Sequence, residues 1–533
     1  MRAICLAVVV ACVSPAQTSV PFERIVNAAK EPRNWLTYWG DYSARRYREL
    51  DQINTSNIKD LRLEWMFQTS QPGAFETVPL VVDGIMYFTA ANGYAYAIDA
   101  RSGRQLWMYK YAIPKNAILP NGTVNRGLAI LNDSLFMVTP DGHVLALETQ
   151  TGRLIWDTLM APNEQAHGAT LAPLAVKDKV IVGVTGGEYG VRGFIDAYDA
   201  RTGKRAWRFW TVPAKGEPGG DTWMADSWKR GGGATWMTGT YDPDLNLLYW
   251  GVGNPGPDLY GAARQGDNLY TASLVALDAD SGKLKWHFQF TPHDQHDWDA
   301  CETPVLLNLK FHGRDRKVVV QANRNAFYYV LDRETGEFLM GTPFERQTWA
   351  KELDAKGRPV LSAASQPTAE GQRVCPGLAG GSNWMAPTFD PQTGWFYFAY
   401  FESCDMYYLS PPVYIAGKAY WGSMARGMDQ EKRWGVLKAI DPATGEAKWE
   451  FKMFQPSWGG TMSTSGGLIF SGDEDGYFTA FDARTGKNLW RINTGNRIAT
   501  APVTYMVDDR QYVTIPSGAA LITFALPRQQ HDE

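Results

Sequence analysis

The chain has 533 residues, 44% of them hydrophobic and 20% charged, with a formal net charge of −4. That composition excludes wholesale disorder and the basic footprint of a nucleic-acid binder. At about 150 residues per domain the length suggests three or four domains, and 21 Trp call for repeated docking sites or an aromatic-lined pocket.

The chain opens on a targeting segment. Arg2 is a positive n-region, and the apolar run that follows, ending at Val13, is too short to span a bilayer. Ser14-Pro15-Ala16 is a small-x-small cleavage site. The reading is a signal peptide over 1–16 and a mature chain over 17–533 in the periplasm or outside the cell. The rival is a lipoprotein site at Val9-Val10-Ala11-Cys12, which would lipidate Cys12. The short h-region before Cys12 favours the first. No other apolar run reaches bilayer length, so no membrane span is expected. Outside this segment stand Cys301, Cys375 and Cys404. Export favours a Cys375–Cys404 disulfide with Cys301 unpaired; three buried thiols is the alternative. No Cys-x-x-Cys-His occurs, so the chain attaches no c-type haem.

Short alternating strands come next. Ile85 to Thr89 and Tyr94 to Ala97 are separated by Asn92-Gly93, a hairpin signal. Ala97 to Trp107 then sets a pattern, A-x-D-x-x-[ST]-G-x-x-x-W. It returns in the stretches ending at Trp156, Trp207, Trp286, Trp449 and Trp490. Leu331 to Gly336 is a copy without the Trp, and Asp390 to Gly394 is more degenerate. In each copy the Asp and Ser or Thr side chains can bond their own turn, and Gly supplies φ > 0. The Trp sits on the next strand and is placed to dock flat between neighbouring units. Few segments have a helical period. Six full copies, two degenerate ones and Trp65 predict an all-β, eight-bladed β-propeller of tryptophan-docking repeats, in one domain. Gln511 to Ile515 is a late strand, so strands from both chain ends are expected to complete one blade. The polar stretch 345–371 reads as a long insertion near the mouth.

The repeat resembles the tryptophan-docking motif of the pyrroloquinoline quinone (PQQ) dehydrogenases. Departures from the repeat are similar to the quinoprotein alcohol and methanol dehydrogenases along nearly the whole mature chain. A flat tricarboxylate quinone needs a stacking face, rim donors and a Lewis acid, and the alcohol needs a base. The resemblance implies these parts in order. Glu76 opens the first complete blade and contacts cofactor. Arg126, in Val-Asn-Arg-Gly, and Thr170 bind its carboxylates. Thr185, Gly186 and Gly187 touch it, and Glu188 ligates the metal. Trp236 is the stacking base and Asn254 an oxygen ligand. Asp297 is the catalytic base and a ligand, and Arg324 stands at the reactive carbonyl. Asn383, Trp384 and Trp458 close the pocket.

Asp299, two residues after Asp297, resembles the extra ligand of lanthanide-dependent members. On an extended stretch both carboxylates would project to one side. With Glu188 they bring three negative charges to one hard ion, which favours a lanthanide(III) over Ca²⁺. His293 and His296 read as loop residues, because two His make no complete metal site. Two departures stand out. Pro120-Asn121 replaces the two adjacent Cys that the alcohol-oxidising members place over the quinone, and Ala234 replaces a common Thr. Cys375 and Cys404 sit where the family has a longer-range disulfide.

Taken singly, Arg126, Arg324 or Glu188 would read as a structural ion pair or turn residue. Their joint order implies a periplasmic PQQ- and metal-dependent dehydrogenase that oxidises a primary alcohol. Electrons would pass to a separate cytochrome c. Two alternatives stay open: a non-enzymatic envelope propeller, and a sugar or polyol dehydrogenase. A homodimer is compatible with the sequence, which does not specify an oligomeric state.

Overall fold

The structure, a computed structural model, describes residues 19–427 and 433–528. The expected signal peptide lies outside them. Among the described residues, seven sheets have four antiparallel strands each, and an eighth adds Tyr47–Arg48 as a fifth, parallel strand beside Thr461–Thr464. Helical segments are single turns such as Phe22–Val26 and Gly187–Tyr189. None is long and apolar enough to cross a membrane.

The sequence signals translate into local geometry. Ile85–Ala90 pairs antiparallel with Tyr94–Asp99, and Asn92 and Gly93 both take positive φ, 64° and 79°, at the hairpin turn. In the first repeat the Asp99 carboxylate accepts from the backbone N–H of Arg101 and Ser102, at 3.0 and 2.9 Å. Asp199, Asp278, Asp332 and Asp482 cap their own turns in the same way.

Gly103 stands at φ 72°. A Cβ there would lie 2.7 Å from the Trp65 ring, and Trp65 Nε1 donates to the Ala100 carbonyl. The same pairing joins Trp107 to Gly152, Trp156 to Gly203, Trp207 to Gly282, Trp286 to Gly336 and Trp449 to Gly486. Each indole N–H bonds a carbonyl of the following unit. Glycine is needed twice over here, for the turn and for the indole's approach. Burying such a ring contributes about 4–6 kcal/mol of gross transfer free energy. The copy without Trp places Thr342 against Gly445. Trp490 packs edge-on against Phe524, with ring centroids 5.3 Å apart.

The two ends of the chain meet in one sheet. Arg62–Gln68 pairs with Ala520–Ala525, which pairs with Arg510–Ser517. The insertion 345–371 forms a hairpin of Ala350–Leu353 and Pro359–Leu361. It packs Trp349 and Ala350 into a core cluster with Trp286 and Trp298. Cys375 and Cys404 form a disulfide, and Cys301 is a buried thiol.

Candidate active site

The segments that break the repeat converge on one cavity of about 420 Å³. They are the lead-ins to first strands and the connections between second and third strands. Backbone bonds stitch neighbouring lead-ins together. Val78 N–H donates to the Arg126 carbonyl, and Arg126 N–H to the Thr170 carbonyl, each at 2.9 Å. Residues distant in sequence are thereby held side by side.

One wall is a charge cluster with aromatic backing. Arg126 pairs with Glu76 at 2.7 Å and donates to Thr170 Oγ1 at 2.7 Å. Its guanidinium lies 5.0 Å from the centroid of the Trp236 ring and 5.5 Å from that of Trp384. Trp384 stacks on Trp458 at 4.1 Å and meets Trp236 edge-on at 5.9 Å. Asn383 lines the cavity and donates to the Ala379 carbonyl at 2.8 Å.

The wall adjoining Trp236 is acidic. Asp299 accepts from Trp236 Nε1 at 2.9 Å and from the Asn254 N–H at 2.5 Å. Arg324 donates through Nη1 to Asp299 at 2.9 Å and through Nη2 to Asp297 at 3.1 Å. The two carboxylates do face one point, but not along an extended strand: Asp297 has φ 63°. The left-handed residue, not strand alternation, turns its carboxylate toward Arg324.

Burial is the leading cause of every shift in this cluster. It pushes Glu188 up to about 7, reinforced by Asp299 and opposed by its own backbone N–H and by Arg324. It raises Asp297 well above the carboxylate range, with Arg324 opposing and Asp299 and Glu188 adding to it. Asp299 is raised as well, again against Arg324. A cluster of this kind stores unbalanced negative charge and invites a cation.

Thr185, Gly186 and Glu188 line the cavity. Gly186 stands at φ 103°, and a Cβ on it would lie 2.4 Å from the Ala166 carbonyl. Gly187 is not on the cavity wall; it lets Asn254 approach, since a Cβ there would lie 2.8 Å from Asn254 Oδ1. His293 and His296 turn away, to the carbonyls of Gly266 and Ser365, each at 2.8 Å. Asn121 and Val124 line the side where the family's paired Cys would stand.

The family model for PQQ enzymes, described as "Glucose/ethanol/alcohol dehydrogenase, beta-propeller domain", matches residues 35–352 and 452–513. The chain belongs to the PQQ dehydrogenase family. It is 37% identical over 532 residues to the quinoprotein alcohol dehydrogenase PedH of Pseudomonas putida, spanning 94% of this chain and 89% of that one. It is 36% identical to the lanthanide-dependent methanol dehydrogenase of Methylacidiphilum fumariolicum, spanning 93% and 86%. The solved structure of a europium-containing methanol dehydrogenase superposes with a TM-score of 0.90 at 34% identity, over 95% of this chain and 100% of that one.

The residues fit the groups that PQQ dehydrogenases carry. Asn254 Oδ1 and Asp297 Oδ1 are buried without a hydrogen-bond partner, as oxygen ligands to a hard cation would be. Asp299 differs: it already accepts on both oxygens. Among the described residues, no three His, Cys, Asp or Glu side chains form a closed metal cluster by themselves. The amide oxygen of Asn254, buried without a hydrogen-bond partner, is available as a further donor. Trp236, Arg126 and Thr170 supply a flat face and donors for an aromatic polycarboxylate.

Two participants escaped the sequence reading. Asp258 is a further buried carboxylate, raised well above its ordinary range by burial first and then by Asp297 and Glu188. It stands four residues after Asn254, in a Pro-rich loop that looked like plain turn sequence. Leu378 lines the cavity and its carbonyl accepts from Arg324 at 2.7 Å. A backbone carbonyl leaves no mark in side-chain identity.

Proposed function

We propose that this chain is a PQQ- and metal-dependent dehydrogenase that oxidises a primary alcohol to the aldehyde and passes the electrons to a separate cytochrome c. The observation that carries the reading is the contact set of Arg324 with Asp297 and Asp299, beside the Trp236 ring. A proton acceptor, an electrophilic guanidinium and a stacking face meet at one point. Bound PQQ supplies an electrophilic carbonyl that accepts hydride, and the cation makes it more so.

The protein's share follows from its residues. Arg126, Thr170 and Glu76 orient the carboxylate rim, with Thr185 and Gly186 alongside. Trp236 supports the ring, and Trp384, Trp458 and Asn383 exclude water around it. Glu188, Asn254, Asp297 and Asp299 are the candidate ligands for Ca²⁺ or a lanthanide(III). Three carboxylates favour the trivalent ion. With a cation held there, Asp297 would stay ionised and could take the hydroxyl proton, and Arg324 would be placed to stabilise negative charge on the reacting oxygen.

Around this site, the seven four-stranded sheets and the one five-stranded sheet are the blades of an eight-bladed propeller, locked by Trp–Gly docking, in a single domain over 17–533. Export to the periplasm is part of the proposal, and the Cys375–Cys404 disulfide supports it. The test is reconstitution of the purified protein with PQQ and either Ca²⁺ or La³⁺, followed by dye-linked alcohol oxidation. Activity with one ion is expected. Failure to bind PQQ with both ions overturns the reading.

A further inference from the structure

Arg324 is held from two sides, and only one of them belongs to the acidic wall. Its Nη2 also donates to the Leu378 carbonyl at 2.7 Å. Its own carbonyl accepts from Gly381 N–H at 2.8 Å. Gly380, at φ +77°, lies so close that a Cβ would stand 2.7 Å from Arg324 Cβ. The 377–381 turn thus wraps the arginine.

That turn is itself anchored from one point. Asp405, 4% exposed, opens the strand Asp405–Leu409. Its Oδ2 accepts from Leu378 N–H at 2.7 Å. Its Oδ1 pairs with Arg433 at the surface. Gly377 makes room for the carboxylate, since a Cβ on it would be 2.6 Å from Asp405 Oδ2. Gly377 N–H also bonds the Ser403 carbonyl at 3.1 Å. The Cys375–Cys404 disulfide ties the two segments at their base.

We propose that Asp405 is a positioning residue for Arg324, acting through Leu378. The inference rests on the role given to Arg324 above. Leu378's N–H and C=O lie in adjacent peptide planes. The N–H is held by Asp405, and the turn beyond it is closed by Gly380 N–H on the Gly377 carbonyl and Gly381 N–H on the Arg324 carbonyl, so the Leu378 carbonyl is held between two fixed points. A guanidinium has five donors in a rigid plane. Two carboxylates alone leave that plane free to tilt about the line joining them, and the third acceptor removes the tilt. Asp405 touches neither substrate nor cofactor. It sets the angle at which Arg324 meets them.

The experiment compares wild type with Asp405→Ala, Asp405→Asn and Arg433→Gln, each checked by thermal melting. Labelling of Arg324 by phenylglyoxal, read by peptide mapping on cofactor-free protein, reports its placement directly. Steady-state kinetics on the PQQ-loaded protein report the consequence. Asp405→Ala is expected to raise Arg324 labelling severalfold and to lower kcat about tenfold, with KM for the alcohol within about twofold. Asp405→Asn keeps an oxygen for Leu378 N–H and is expected to stay within about twofold of wild type in both. Arg433→Gln leaves the Leu378 N–H bond to Asp405 in place and is expected to keep Arg324 labelling and kcat within about twofold of wild type, with a lower melting temperature.

Unchanged labelling in a folded Asp405→Ala protein overturns the proposal. So does an Asp405→Asn protein as exposed as the alanine variant, which would also decide the matter were Asp405→Ala too unstable to assay. Labelling needs no cofactor. A wild type that is inactive with PQQ removes the dehydrogenase reading, and the labelling pattern still decides the placement of Arg324.

Discussion

Arg324 bonds Asp297 and Asp299 with one guanidinium, Nη2 to the first at 3.1 Å and Nη1 to the second at 2.9 Å. Both acids are pushed up by burial and Arg324 opposes the push on each. Replacing Arg324 by Lys keeps the charge and loses the fork. Arg324→Lys is expected to lower kcat about 10- to 100-fold, with the melting temperature little changed, measured by dye-linked kinetics and calorimetry.

Asp297 is the proposed base, and its Oδ1 has no protein partner. Asp297→Asn keeps the shape and removes the proton acceptor. The expected loss in kcat is about 10²- to 10⁴-fold, while PQQ still binds, as followed by absorbance titration.

Trp236 does two things at once: it offers a face, and its Nε1 donates to Asp299 at 2.9 Å. Two substitutions separate them. Trp236→Ala is expected to weaken PQQ binding at least about tenfold through the lost ring. Trp236→Phe keeps a face and is expected to cost only a few-fold in binding, with a larger fall in kcat as Asp299 loses its donor.

In the proposed site, the count of carboxylates is the feature that would set the choice of ion. Asp299→Ala removes one carboxylate beside Glu188 and Asp297. The metal content of protein purified with both Ca²⁺ and La³⁺ present is expected to shift toward Ca²⁺ by about tenfold or more. An unchanged ratio in mass-spectrometric metal analysis would remove Asp299 from the ligand set.

His167 makes a stability prediction. Burial lowers its pKa from 6.5 to about 4, against a bond to the Pro162 carbonyl that favours protonation. The unfolded chain takes up a proton near pH 6.5 and the native state resists until about pH 4. Stability from a neutral His167 is therefore complete above pH 6.5 and is lost as pH falls toward 4, by about 3 kcal/mol in all. His167→Gln is expected to flatten that acid limb in denaturant melts between pH 7 and 4, and a limb as steep as wild type would refute it.

Much of the architecture was legible residue by residue. Asp99, Ser102 and Gly103 specify their turn through local bonds, and Trp107 reaches Gly152 only one repeat away. The same local chemistry, returning many times along the chain, announces a repeated fold. The site residues were legible differently, as departures from that repeat in a familiar order. That strands from both chain ends share a sheet was anticipated from the late strand Gln511 to Ile515; the pairing of Arg62–Gln68 with Ala520–Ala525 is what the structure adds.

What the sequence determined by itself, then, is a ring of Trp-bearing sheets and the identity of the acids, arginines and indoles aimed into it. Tertiary structure alone decided which of them touch. The left-handed turn at Asp297, the doubly bonded Asp299, the hidden Asp258 and the Asp405–Leu378 support of Arg324 all depend on loops from different sheets meeting at one place. Those contacts join residues 27 to 63 positions apart, several through backbone atoms that every residue possesses, and so no residue pattern encodes them.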